Sequence, residues 1–285
     1  MANTISDRSW RDKYRSTKLD HTLRTNLVSE KICTVDRSGS YRIQSPYTSS
    51  AATVAQALAG TYTAVDFQVT DDYLVVANEF IAANHIFDFQ NVMNSFDLFE
   101  TRTEQLMFDV SAKVDEFAVN NLCEDGTGTY TTAVGGFTTA AKVNQICADL
   151  LGLVAGYAEA YRGLFMVIEN TEVPGFVLAQ AGAASFSYAD AALRNGFMTS
   201  HMGIDIHVVR SGIFKDATIG TKAFTNAGHR VFGVKGVATL AIPESKFEEK
   251  AVSGKTGMEI VAITYADIKL WESVKPLIVD ITVTA

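Results

Sequence analysis

The sequence predicts an α+β fold in which a stiff helix-and-sheet body carries extended appendages. Three observations predict it. One unbroken stretch, Ser95 to Cys123, repeats apolar residues at helical spacing; several shorter runs alternate with period two; and the first 38 residues have almost no periodicity.

Residues 1–38 are rich in Ser, Thr, Arg and Asp, with scattered apolar anchors at Trp10, Tyr14, Leu19, Leu23, Leu27 and Ile32. Such a segment cannot form a core by itself, and fully stretched it reaches more than about 100 Å. It reads as an arm that docks on a neighbouring copy. Ser40–Gln44 then alternates and is halted by Pro46, residues 46–60 are small and turn-like, and alternation resumes at residues 61–69. With Asp71-Asp72 as a solvated turn, this predicts a long two-stranded hairpin, followed by another strand at Tyr73–Val76. An isolated hairpin is marginal in water and needs a surface to lie on.

In the long helix, Phe96, Phe99, Leu106, Met107, Val110, Val114, Phe117, Ala118 and Leu122 recur at three- and four-residue steps. Ser95 suits the cap, and Gly126 stops the helix. At 1.5 Å per residue it runs about 40 Å, enough to span a whole subunit. A Gly- and Thr-rich connector leads to a second helix, Thr139–Tyr161, with Val143, Ile146, Cys147, Leu150, Val154 and Tyr157 facing inward. Leu164–Ile168 reads as a buried strand, and Asn170–Pro174 as the opening of a short helix. Ile204–Val209, Arg230–Val237, Met258–Tyr265 and Leu277–Val283 read as strands, the last with one buried face. No repeat of solenoid or propeller length occurs.

Composition bounds the function. The chain has 285 residues, 47% of them hydrophobic and 20% charged, as folded domains do. Mean hydropathy is slightly positive (+0.10), but no apolar run approaches the length of a membrane span. The polar N-terminus has no signal-peptide core, which predicts a protein made and kept in a cytosol. Cys33, Cys123 and Cys147 are odd in number, widely spaced, and read as buried free thiols. The charge is uneven: residues 1–42 are net +4, against −12 for the rest, within a total of −8. A basic arm on an acidic body could touch nucleic acid or the acidic surface of a neighbouring copy. Interspersed acids weaken the first reading and favour the second.

Catalytic motifs are absent. Gly254-Lys255-Thr256-Gly257 lacks the glycine a phosphate loop needs, since Glu249 occupies that position. It also lacks the S-x-x-K and S-D-N partners of penicillin-recognising enzymes, so a hairpin turn is the better reading. His21, His85, His201, His207 and His229 show no metal-binding spacing. No nucleophile elbow or dinucleotide fingerprint is present. The expectation is no catalytic residue, no cofactor and no metal, with the reservation that sites assembled in space escape such motifs.

The order of the parts nevertheless resembles a known family. Gly39 to Leu122, through GSYRIQSPYTSS, GTYTAVDFQVTDDYLVVANEFIAANHIFDFQNVM and AKVDEFAVNNL, resembles the major capsid proteins of tailed bacteriophages, which share the HK97-like fold. Leu193–Phe197 with Gly203–Val208 resembles a passage of that family's A-domain. Gly257–Tyr265, Ile268–Leu270 and Val279–Ile281 resemble its closing strands. Ala266-Asp267 departs from it, because relatives often carry glycine after the aromatic residue, which puts a local turn in question.

The resemblance implies an extended N-arm at 1–39 and an E-loop hairpin at 40–72. It implies a P-domain strand and spine helix at 73–136, an A-domain mainly at 137–256, and closing strands at 257–285. It further implies a virion shell of homo-hexamers and homo-pentamers, assembled in the bacterial host cytoplasm without a membrane. Packaged DNA is touched only non-specifically, and the portal and a separate scaffolding protein are expected partners, because the hairpin begins too early for a fused scaffold. Arg8, Arg11, Lys13 and Arg15 are the candidate assembly contacts. The alternatives are an encapsulin-like compartment of the same fold and a soluble α+β enzyme with a cleft.

Overall fold

The computed structural model describes residues 18–19, 27–48, 69–86, 98–157, 162–182, 200–251 and 257–284. A short helix α1 (Val28–Ile32) and strand β1 (Thr34–Asp36) come first, then β2 (Arg42–Thr48), β3 (Val69–Val75) and β4 (Glu79–Ile86). The long helix α2 (Leu98–Asp125) follows, with β5 (Gly128–Thr131), α3 (Ala140–Val154), β6 (Leu164–Glu169) and α4 (Val173–Gly182). The remaining strands are β7 (Ser200–His201), β8 (Ile204–Val209), β9 (Asp216–Ile219), β10 (Lys222–Thr225), β11 (His229–Val234), β12 (Ala238–Ala251), β13 (Met258–Leu270) and β14 (Ile278–Thr282), with a 3-10 helix at Glu272–Leu277 before the last.

Two sheets organise these elements. The first has the order β1-β12-β13-β4, with β1 parallel to β12 and the other pairs antiparallel. The second has the order β5-β14-β11-β6-β8-β7 and mixes parallel pairs (β5 with β14, β6 with β8) with antiparallel ones. Helix α2 lies along β13 and β4 of the first sheet and touches β11 and β14 of the second. It carries one core, with Leu106, Met107, Val110, Val114, Phe117 and Leu122 all buried. A second core lies between the six-stranded sheet and helices α3 and α4, around Phe137, Ile146, Leu150, Phe176 and Phe232. There Phe137 stacks on Phe176, their ring centroids 5.4 Å apart. The contact admits only glycine beside it, because a Cβ on Gly175 would sit 1.7 Å from the Phe137 carbonyl oxygen.

Several sequence expectations need correction. Pro46 does not halt its strand: β2 runs to Thr48 and pairs Pro46 with Asp71. A two-stranded sheet has only edge strands, so the missing N–H need not break the ladder. Asp71-Asp72 is therefore no turn but the middle of β3, and Tyr73–Val75 is the hairpin's return strand. The next strand is β4, which the alternation did not single out. Helix α3 ends at Val154, and Tyr157 is exposed instead of inward. In β14, Ile278, Val279 and Ile281 are all fully buried, so both faces are covered at that point. Ala266-Asp267 lies inside β13, with the Ala266 N–H donating to the Asn78 carbonyl. Residues 252–256, where the hairpin turn was expected, lie outside the described residues; the strands on either side, β12 and β13, pair antiparallel down to Ala251 and Met258. All three cysteines are buried and free.

Candidate assembly surfaces

The anchor of the N-terminal segment is the first surface, and it too corrects the sequence reading. Residues 1–38 were expected to grip another copy, yet Leu19, Leu27 and Ile32 are buried in the chain's own core. The reason lies in α2. The Asp115 carboxylate accepts hydrogen bonds from the Val28 N–H (2.8 Å), the Ser29 N–H (2.9 Å) and the Ser29 hydroxyl (2.6 Å). It caps α1 from 86 residues away, satisfying donors that a helix start leaves open. Burial pushes the Asp115 carboxyl up, and the bonds from Ser29 and Val28 oppose that. The chain then runs on as β1 beside β12, with the Gly236 N–H donating to the Ile32 carbonyl. Outside this anchor, Lys18 pairs with Glu104 at 2.8 Å. Arg8, Arg11, Lys13 and Arg15 lie outside the described residues, as do Leu193–Phe197 and residues 49–68 between β2 and β3.

The β2–β3 hairpin is the second surface. It forms a two-stranded sheet of its own, whose base, closed by the bond from the Val76 N–H to the Tyr41 carbonyl, packs on β13 of the body. There Asp72, which is buried, pairs with Lys269 at 2.6 Å. Tyr41 meets the Tyr265 ring edge-on at 5.9 Å and donates its hydroxyl to Glu244 at 3.1 Å. Behind this base, Asn78 joins three elements. Its amide donates to Asp267 at 2.9 Å and its carbonyl accepts the Thr221 N–H at 2.8 Å. The base is thus fixed in direction while Tyr41, Tyr73 and Val75 stay exposed.

The third surface is a cleft of about 580 Å³ between α2, β4 and the β9–β10 region, lined among others by Glu79, Ile81, Asp109, Glu116, Arg210 and Lys215. Ile81 is 56% exposed beside it, on β4, the outermost strand of the first sheet among the described residues. At its floor the fully buried Glu116 carboxylate meets Lys113 and Arg210, each at 3.2 Å, and Lys215. Burial pushes the Glu116 carboxyl up, but the hydrogen bonds and charges of Lys215 and Lys113 outweigh it and hold it below its ordinary value of 4.5. A depressed carboxyl contributes stability that is present above its ordinary value and is lost as the pH falls through the folded one. Glu116→Gln is therefore expected to cost about 1–3 kcal/mol at neutral pH, less than a fully buried pair because the three cations reach solvent. Urea unfolding midpoints of wild type and variant should converge below pH 4.5 as Glu116 protonates; a gap that persists in acid contradicts the assignment.

Of the histidines, His201 is buried, 2.9 Å from Asn144 and edge-on to Phe176. His207 is pushed down to about 4, first by burial and then by Lys235 and Lys31. The polar side chains that hold these surfaces in place, Asp115, Glu116 and Asn78, were not found from sequence. Asp115 and Glu116 sit in the apolar-periodic helix, where a charge reads as solvated. For the β9–β10 hairpin a signal existed: Gly220-Thr221 is a two-residue turn, with Gly220 at φ +60°.

No protein-family model and no curated protein matches the chain by sequence. Solved structures do match by fold. A structure from Mycobacterium phage Che8 aligns with a TM-score of 0.68 at 16% identity, covering 90% of this chain and 91% of its own. The capsid of the cyanophage P-SCSP1u gives 0.65 at 12% identity, covering 90% and 88%. A virus-like particle from Pyrococcus furiosus gives 0.59 at 8% identity, covering 94% and 98%. With an N-terminal segment anchored on the body, a separate two-stranded hairpin sheet, a long helix along one sheet and a second sheet covered by helices, the chain has the HK97-like fold of the major capsid proteins of tailed phages.

Proposed function

We propose that this chain is the structural subunit of an icosahedral bacteriophage capsid, self-assembling into hexamers and pentamers around a genome, and that it is not an enzyme. The observation that carries the reading is the correspondence over nine tenths of both chains with structures such as the P-SCSP1u capsid. A shell subunit needs a rigid body and reaching appendages, and helix α2 on its sheet and the β2–β3 hairpin fit those parts. In this reading residues 1–39 are the N-arm, 40–72 the E-loop, 73–136 the P-domain strand and spine helix, 137–256 mainly the A-domain and 257–285 the closing strands. Sheet membership favours moving β12 to the P-domain, because it pairs with β13 alongside α2. The acidic body suits a wall that contacts packaged DNA only non-specifically. A separate scaffolding protein and a portal complete the proposed partners, and assembly is placed in the host cytoplasm. No helix among the described residues is long and apolar enough to cross a membrane.

Negative-stain microscopy of the purified protein tests the reading: closed shells or capsomers support it, and a monodisperse monomer defeats it. The likeness to a virus-like particle from Pyrococcus furiosus supports one second reading, an encapsulin-like compartment of the same fold. Nucleic acid inside native particles supports the phage reading, and a protein cargo in its place supports the compartment.

The N-arm gives a further expected outcome. Arg8, Arg11, Lys13 and Arg15 are proposed to contact acidic surface on adjacent copies. Each exposed ion pair contributes only about 0–1 kcal/mol, but the contact repeats through the shell and weakens with salt. Deleting residues 2–17 spares Lys18 and the buried Leu19, so the subunit should fold with an unchanged circular dichroism spectrum and assemble poorly. Normal shell yield from that truncation would refute the contact.

A further inference from the structure

Three elements distant in sequence bring a thiol, an imidazole and a carboxylate to one point. Cys123 lies in the last turn of α2, His229 opens β11, and Asp280 is in the middle of β14. An Asp280 carboxylate oxygen stands 2.9 Å from the Cys123 sulfur, and the His229 Nδ1 is 2.9 Å from each of the two carboxylate oxygens. The three ligating atoms lie within 4.8 Å of one another, and no other such group of His, Cys, Asp and Glu occurs among the described residues. Register explains the convergence. Asp280 pairs with Val231 across the ladder, so His229 sits diagonally beside it on the same face. That face is the one on which Ile278 joins the core of α2, so the helix end delivers Cys123 from above.

We propose that Cys123, His229 and Asp280 form a binding site for a zinc-class divalent cation. Sulfur, nitrogen and oxygen donors together suit Zn²⁺, which binds them at about 2.0–2.3 Å and tolerates their mixture in a tetrahedral shell. Tetrahedral ligands at those lengths are about 3.3–3.8 Å apart, so the two 2.9 Å spacings to Asp280 need to open by less than about 1 Å, and the Cys123–His229 spacing already lies within 4.8 Å. Side-chain rotation of the half-buried His229 and Asp280 supplies that. Cys123 is almost fully buried, whereas the His229 and Asp280 side chains are 23% and 19% exposed. The site is therefore closed on the sulfur side and open to an entering ion and a fourth, water ligand on the other. Hydrogen bonding alone accounts poorly for it, since a thiol is a weak donor and here occupies a carboxylate that the imidazole already holds. Cys33 and Cys147, also buried, belong to no such three-ligand group among the described residues. The ion would fasten the end of the long helix to two strands of the second sheet, joining the two cores. The inference is independent of the shell reading.

The test is a titration of the purified protein with Co²⁺, then Zn²⁺. One Co²⁺ per chain is expected to give a sulfur-to-cobalt charge-transfer band with tetrahedral d–d absorption, displaced by Zn²⁺. The band should vanish in Cys123→Ser and persist in Cys147→Ser. His229→Gln, at an accessible strand start, keeps the fold intact and should weaken binding about tenfold or more. Zn²⁺ at a hundredfold excess over its dissociation constant should raise the Tm of the wild type by roughly 5 °C or more. Wild-type protein without a thiolate band, a band unaffected by both Cys123→Ser and His229→Gln, or an unchanged Tm overturns the proposal, whether or not every variant folds.

Discussion

Arg230→Met is expected to lower subunit stability by about 3–5 kcal/mol, because it strands two carboxylates in a site with little access to water. Arg230 is buried at the start of β11. Its Nε donates to both oxygens of Glu172, at 2.9 and 3.0 Å, and its NH2 group meets Glu169 at 3.1 Å. The guanidinium carbon also lies over the Phe214 ring, 5.1 Å from its centre. Glu169 in turn accepts the Gly212 N–H at 2.9 Å, so the network ties β6, the start of α4 and the loop before β9 to one strand. Burial already pushes the Glu172 carboxyl up, and the Arg230 charge holds it back. Without that charge the carboxyl must take up a proton or draw in water. Lysine cannot restore the fork-shaped contact, so Arg230→Lys should recover only part of the loss. Urea denaturation of unassembled subunits measures both; a cost below about 1 kcal/mol for Arg230→Met would show the network to be dispensable.

Asp115→Ala is the second large effect. It removes the acceptor of three donors at once, the Val28 and Ser29 N–H groups and the Ser29 hydroxyl, with Ser29 fully buried. An unsatisfied buried donor costs about 1–3 kcal/mol, and some water can enter, so the total should be about 2–4 kcal/mol. The loss should be local. Amide exchange should accelerate across Val28–Asp36 while the amides of β11 and β13 keep their protection. Ser29→Ala, which leaves both N–H bonds in place, should cost about 1 kcal/mol. Unchanged exchange in Val28–Asp36 of Asp115→Ala would mean that β1 pairing alone holds this segment. In a shell, a loosened anchor would also displace everything N-terminal to it, so assembly yield is a second readout.

Periodicity made much of the fold legible. Helix α2, the apolar face of α3, and strands β6, β8, β11, β13 and β14 follow from where apolar residues recur, because burial on one face is a local property of spacing. What misled was local chemistry whose meaning depends on a distant partner. Asp71-Asp72 reads as a turn until Lys269 pairs with Asp72. Pro243 and the charged run after it conceal the longest strand, β12, where the ladder shifts register between Ala241 and Glu244 and so absorbs the proline. The polar residues of α2 read as a solvated face, yet the helix is buried on every side from Val114 to Cys123. Asn120, for example, donates to the Ile213 carbonyl at 2.8 Å and accepts from Asn226 at 3.2 Å, across about a hundred residues that no spacing rule connects.

The sequence by itself determined the α+β class, the order of arm, hairpin, long helix and sheets, the buried free thiols and the absence of familiar catalytic motifs. Each is written in composition or short-range spacing. Only the tertiary structure decided that the segment around Leu27–Asp36 closes on its own body, that Glu116 gathers three cations, and that Cys123, His229 and Asp280 meet. Those outcomes rest on sheet register and helix placement, which bring together side chains separated by dozens to hundreds of residues, and the energy of a buried charge or thiol is set by that company.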